Sequence, residues 1–197
     1  MEIIHRIASH APVPAGGAAV ANSFCLAVAL VYKVVLFETE RNLHNPGVNS
    51  DLLHVKKEIE RLLRDAEKLV EEDSEAYLNF ARSRRDGDTV QMKLHFDIII
   101  EISMKIMEKP EAAFEWIQQL HQIIPQRMST HLLVASELLM GAINGTVHVA
   151  RDNLRSIRVT EKRENYLKRL NELHKTYQHR CQMIMQKISA APDELNP

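Results

Sequence analysis

Apolar positions in this chain recur every three or four residues almost from end to end, the period of helices that bury one face. No run alternates apolar and polar in the manner of a strand. The clearest stripe is Tyr166, Leu170, Leu173, Tyr177, Cys181, Ile184 and Ile188, and a stripe of that kind reads as core. Prolines and glycines fall where the period breaks. Asn45-Pro46-Gly47 reads as the stop of a first long helix and Asn49-Ser50-Asp51 as the cap of a second, which ends at Arg85–Asp88. Pro110 opens a short helix, Pro125 closes it, and Ser129-Thr130 caps the next. Thr160, with Glu161 and Glu164 in its first turn, starts the last. The pattern predicts helices near 17–43, 51–83, 89–108, 110–123, 130–157 and 160–190, with a short one at Glu2–Ser9. The expected fold is all-α: a single-domain helical bundle of five to seven helices over residues 1–190, with 191–197 as a tail.

Composition narrows the function classes. Twenty-five basic and 26 acidic residues give a net charge of −1, which argues against a dedicated nucleic-acid binder. Ala18–Phe37 carries Lys33 as its one charge, yet Asn22 and Ser23 interrupt it, so it reads as a buried small-residue core helix rather than a membrane span. Glu2 and a lone Arg6 ahead of that run do not make a secretory signal. Two cysteines, Cys25 and Cys181, lie in apolar helical patterns and read as buried thiols of a reducing compartment, so a cytoplasmic location is expected. Ten histidines include no pair spaced four apart on a helix, and no metal is expected.

Two features carry candidate chemistry. Along the second long helix the inward positions run Leu52, Val55, Ile59, Leu62, Ala66, Leu69, then Asp73, then Ala76, Tyr77 and Phe80. A carboxylate in that stripe is costly to bury, so Asp73 is either a paired structural group or a functional one. The second feature is Pro14-Ala15-Gly16-Gly17, which leads straight into the small-residue helix. Glycines there expose the free N–H groups of a first helical turn to a carboxylate or a carbonyl-rich ring, or else they make a tight turn and nothing more.

Three stretches together resemble the cyclodeaminase domain of formiminotransferase-cyclodeaminase and the free-standing methenyltetrahydrofolate cyclohydrolases. "PVPAGGA" at Pro12–Ala18 is similar to that family's P-x-P-G-G-G loop, "LVEEDSEAY" at Leu69–Tyr77 to its D-x-E-A-F, and "NGTVHVARDNLRSI" at Asn144–Ile157 to its N-V-x-x-N-L. The resemblance runs from about Ala8 to Ile188. It implies an all-helical homodimer with a tetrahydrofolate derivative as substrate, no metal, and neither nucleic acid nor membrane as partner. The family's catalytic carboxylate falls on Asp73, with Gly16, Gly17, Thr130, His131 and Asn153 as substrate-binding positions. The implied reaction is hydrolytic ring opening of methenyltetrahydrofolate or cyclodeamination of formiminotetrahydrofolate. The chain departs from the family at four places: Ala15 for the first glycine, Thr130-His131 for a Ser-Asp pair, Val149 for the first asparagine, and Glu101 for a mid-helix proline. Those departures define the alternative, a non-catalytic helical homodimer of the same fold that has lost the chemistry or binds another ligand.

Overall fold

The computed structural model describes residues 2–44, 46–155 and 160–190. Those residues form seven α-helices: α1 (Glu2–Ile7), α2 (Gly16–Arg41), α3 (Pro46–Asp86), α4 (Thr89–Glu108), α5 (Pro110–His121), α6 (Ser129–Arg155) and α7 (Thr160–Ser189). A single 3-10 turn, Gln126–Met128, leads into α6. The tail, residues 191–197, lies outside the described residues, as do residues 156 and 157, where the sequence pattern ends the sixth helix.

The boundaries follow local chemistry. Gly87, at φ +72°, takes the left-handed conformation that stops α3. One residue on, the Asp88 carboxylate accepts from the Val90 and Gln91 amides at 3.1 and 3.0 Å and starts α4. Pro110 takes the first position of α5, where its missing N–H costs nothing. The exception is the start of α3. Pro46 is read in the sequence as a stop, but the helix begins there, five residues before its expected start at residue 51. A proline that ends one helix is equally able to open the next, and the pattern alone does not separate the two.

At the centre lies α2, packed along α3 on one side and α6 on the other. Its buried residues are mostly small or β-branched: Ala18, Ala21, Ala27, Val28, Val31, Val34 and Val35, with Phe24 and, near the C-terminal end, Glu38 as the large side chains. Close approach to α6 is possible because that helix presents glycine. A side chain at Gly145 would overlap Val20, whereas one at Gly141 would make ordinary contact with Ser23. Ser23 Oγ in turn donates to the Leu138 carbonyl at 3.1 Å. By length and composition α2 and the Gln126–Arg155 stretch are each apolar enough to cross a membrane. Here they lie against each other, with Phe24, Val31, Leu132, Leu139 and Ile143 in one core.

The last helix keeps the predicted stripe: Leu170, Tyr177, Cys181, Ile184 and Ile188 are buried, with Tyr166 and Leu173 packed beside them. A second, smaller core of Ala18, Ala21, Leu69, Val70, Ala76, Ile99, Ile102 and Ile106 sits beneath the start of α2. Along α3 the inward reading holds for Leu52, Ile59, Leu62, Ala66, Leu69 and Ala76, and fails for Tyr77, which is 43% exposed. Ala76 and Tyr77 point 100° apart, and Ala76 is the one turned to the core. Cys25 and Cys181 are both free thiols.

Candidate functional site

The N-terminus of α2 is the place where candidate residues meet. Its N-cap is Ala15, whose side chain offers no hydrogen bond to the first turn, so the leading N–H groups need acceptors from elsewhere. The acceptor comes from α3. A Cβ built on Gly17 would overlap the carboxyl carbon and both carboxyl oxygens of Asp73. The carboxyl group therefore lies directly against the Gly17 backbone, with the Ala18 amide close enough to favour its charge. Asp73 thus stands where an N-cap side chain would, supplied by a neighbouring helix.

The electrostatic balance at Asp73 is unusual for a carboxylate. Burial pushes its pKa up from the ordinary value, and the Ala18 amide only partly opposes this; no cation contributes. Its neighbours differ: Glu71 reaches Arg6 of α1 at 3.3 Å and Glu72 reaches Lys105 of α4 at 3.8 Å. Those two carboxylates face outward into ion pairs, and Asp73 alone turns toward α2.

The third stretch, on α6, is drawn mostly into packing. Val149 approaches Gly16 so closely that a Cβ there would lie 3.3 Å from its Cγ2. Asn144 meets His174 Nε2 at 2.8 Å, and Arg151 donates to Asn171 Oδ1 at 2.8 Å, both links holding α6 to α7. Asn153, half-buried, is one turn beyond Val149 on the same side of α6. Asp73, Gly16, Gly17 and Asn153 thus belong to one end of the bundle.

Thr130 and His131 do not join them within the chain. His131 precedes Val149 by 18 residues of continuous helix, about 27 Å at 1.5 Å per residue. Thr130 is exposed there, and His131 holds a buried Nδ1 with no hydrogen-bond partner. Nothing in the sequence period distinguishes the two ends of one long helix, so only their separation in space shows this. Glu101 lies exposed within an unbroken α4.

Sequence reading also passed over a groove of about 630 Å³ between α1, α2 and α3, bordered by Ile3, Arg6, Asn22, Cys25, Leu26 and Val70. Its size is that of small-molecule sites. Val70 is one helical turn from Asp73, but neither Asp73 nor Gly16 nor Gly17 borders the groove. Burial and the nearby Glu67 push the Cys25 thiol up to about 11, so its sulfur stays protonated and is no nucleophile at neutral pH. Among the described residues no three His, Cys, Asp or Glu side chains gather as a metal-binding group.

Comparison with known proteins places this helical arrangement. The family model described as formiminotransferase-cyclodeaminase matches residues 1–172. The chain therefore belongs to the formiminotransferase-cyclodeaminase family, in its C-terminal, cyclodeaminase-domain branch. Among solved structures it is similar in fold to formiminotetrahydrofolate cyclodeaminase from Thermotoga maritima, with a TM-score of 0.79 at 16% identity, covering 95% of this chain and 92% of that one. No curated protein sequence matches the chain.

Proposed function

We propose that this protein is a folate-dependent one-carbon enzyme that works through Asp73. The observation that carries the reading is the Asp73 carboxyl group, half-buried, unpaired with any cation, seated on Gly17 and raised in pKa at the start of α2. The methenyl bridge of methenyltetrahydrofolate is a cationic carbon between N5 and N10. A carboxylate in a partly dehydrated setting stabilises that cation, whether it is substrate or product. In cyclohydrolysis, water adds to the bridging carbon, the carboxylate takes a proton from it, and the ring opens to formyltetrahydrofolate. In cyclodeamination, N10 attacks the formimino carbon and its proton passes to the formimino nitrogen, the protonated carboxyl delivers the second proton, and ammonia departs to leave the same cation. Burial raises the Asp73 pKa above the ordinary carboxylate value, which makes the group a stronger base than an exposed aspartate. Family membership supports the folate class of substrate, and the choice between the two reactions rests on assay.

The subunit is proposed to work as a homodimer in the cytoplasm. Leu26 and Phe37, 52% and 49% exposed on the free side of α2, leave an apolar stripe for a second copy to cover. Light scattering that returns the mass of one chain at micromolar concentration overturns that part.

The test of the reaction is to follow methenyltetrahydrofolate absorbance, and separately ammonia release from formiminotetrahydrofolate, with the protein and with Asp73→Asn. No acceleration of either reaction, with no folate binding by calorimetry, sinks the enzyme reading. The non-catalytic alternative then takes its place, favoured by the closeness of Val149 over Gly16.

A further inference from the structure

We infer that Gly17 is a positioning residue: its missing side chain is the seat of the Asp73 carboxyl group, not a surface for the ligand. Its consequence for catalysis rests on the role proposed for Asp73, while its geometry stands independently. Three atoms of one carboxyl group fill the space where a Gly17 Cβ would go. Gly17 is itself buried, whereas Gly16, next to it, is exposed. The two glycines are therefore not equivalent. An alanine at Gly16 asks Val149 Cγ2 to give way by a few tenths of an ångström at a 3.3 Å contact. An alanine at Gly17 forces the carboxyl group out of the space it now fills.

The arrangement explains how an unpaired carboxylate is held in place without a cation. Ala15 leaves the first turn of α2 without a cap of its own, Gly17 removes the obstruction, and Asp73 enters to face the Ala18 amide. A cation in the same place would fix the carboxylate as fully charged and would repel the cationic bridge of the proposed substrate. Main-chain amide polarity orients the group and leaves its charge free to respond to the ligand.

A double-mutant cycle tests the seat. Gly17→Ala is expected to be less favourable to folding in wild type, where the carboxyl group must swing aside, than in the Asp73→Ala background, by about threefold or more in the unfolding equilibrium constant. In the Asp73→Ala background the same change is expected to be neutral or stabilising, because alanine is the better helix former and nothing stands in its way. Equal effects in both backgrounds overturn the proposal. If Gly17→Ala alone does not fold, recovery of a cooperative fold in the double variant supports the seat, and failure of both variants overturns it.

A second readout separates positioning from mere packing. In Gly17→Ala the Asp73 side-chain carboxyl, followed by 13C NMR, should titrate nearer its ordinary value than in wild type, and the acid limb of the kcat profile should move with it. Gly16→Ala should leave that titration unchanged. An Asp73 titration identical in wild type and Gly17→Ala overturns the proposal even where no folate activity is found, so its failure is distinct from failure of the functional reading.

Discussion

Two aspartates on α3 sit eight residues apart and are used in opposite ways. Asp65 is 37% exposed and accepts a 2.8 Å hydrogen bond from Lys109 at the corner between α4 and α5. That bond holds its pKa below the ordinary value. Asp73 is more deeply buried, meets no cation, and is held above the ordinary value by loss of water. One is a tie between helices whose charge is settled. The other is a group whose charge is costly to maintain, kept against a main-chain amide at the start of α2. What separates the two environments is thus the partner, a flexible cation in one case and a fixed peptide dipole in the other, more than the residue type or the helix.

The largest effect expected from this contrast is on activity. Asp73→Asn keeps the size of the side chain and removes the base, and should lower kcat/KM with methenyltetrahydrofolate by about 100-fold or more, the range of a positioned general base. Asp65→Asn in the same absorbance assay should stay within about twofold of wild type. Comparable losses in the two variants would erase the distinction between them.

Stability should move the other way, and its pH dependence carries the sign. Because folding raises the Asp73 pKa, its favourable contribution belongs to the protonated form, present below the ordinary carboxylate value and lost as pH rises through the raised one. Asp73→Asn is neutral at every pH and so should melt a few degrees above wild type at pH 7, with the advantage shrinking as pH falls toward 4. Folding lowers the Asp65 pKa, so its contribution is present above the ordinary value and lost as pH falls through the lowered one. Asp65→Asn should therefore melt at most about 3 °C below wild type at pH 7, as suits a tie worth up to about 1 kcal/mol. That deficit should vanish in strong acid. Thermal melts by circular dichroism from pH 3 to 8 read both slopes, and parallel slopes would contradict the assignment.

How much of this was legible in the sequence depends on which kind of information each residue needed. The helices were, because Gly87, Pro110 and the capping Asp88 act within a few residues of themselves. Asp73 was legible as an intrusion in an apolar stripe. That Gly17 is its seat was not, since the register between α2 and α3 is set by packing over their whole length and is written in neither helix alone. The contact of Val149 with Gly16 was hidden for the same reason. Thr130 and His131 entered through family resemblance, which carries positions along a chain but not which end of a bundle they occupy. Ala15 was legible as a missing glycine, while its structural consequence, a helix start that borrows its cap, needed the partner helix to be seen.

The smallest effect is also the sharpest check that the two aspartates act separately. Eight residues of helix place them about 12 Å apart along α3, and the partner of one, Lys109, has no part in the environment of the other. Independent sites at that separation add to within about 0.5 kcal/mol. The Asp65→Asn/Asp73→Asn double variant should then show the sum of the two single shifts in unfolding free energy at pH 7, one favourable and one unfavourable. It should also keep the activity of Asp73→Asn alone. A non-additive term well above 0.5 kcal/mol would mean that the Lys109 tie sets the position of α3 at its far end, and that the seat of Asp73 depends on the ion pair as well as on Gly17.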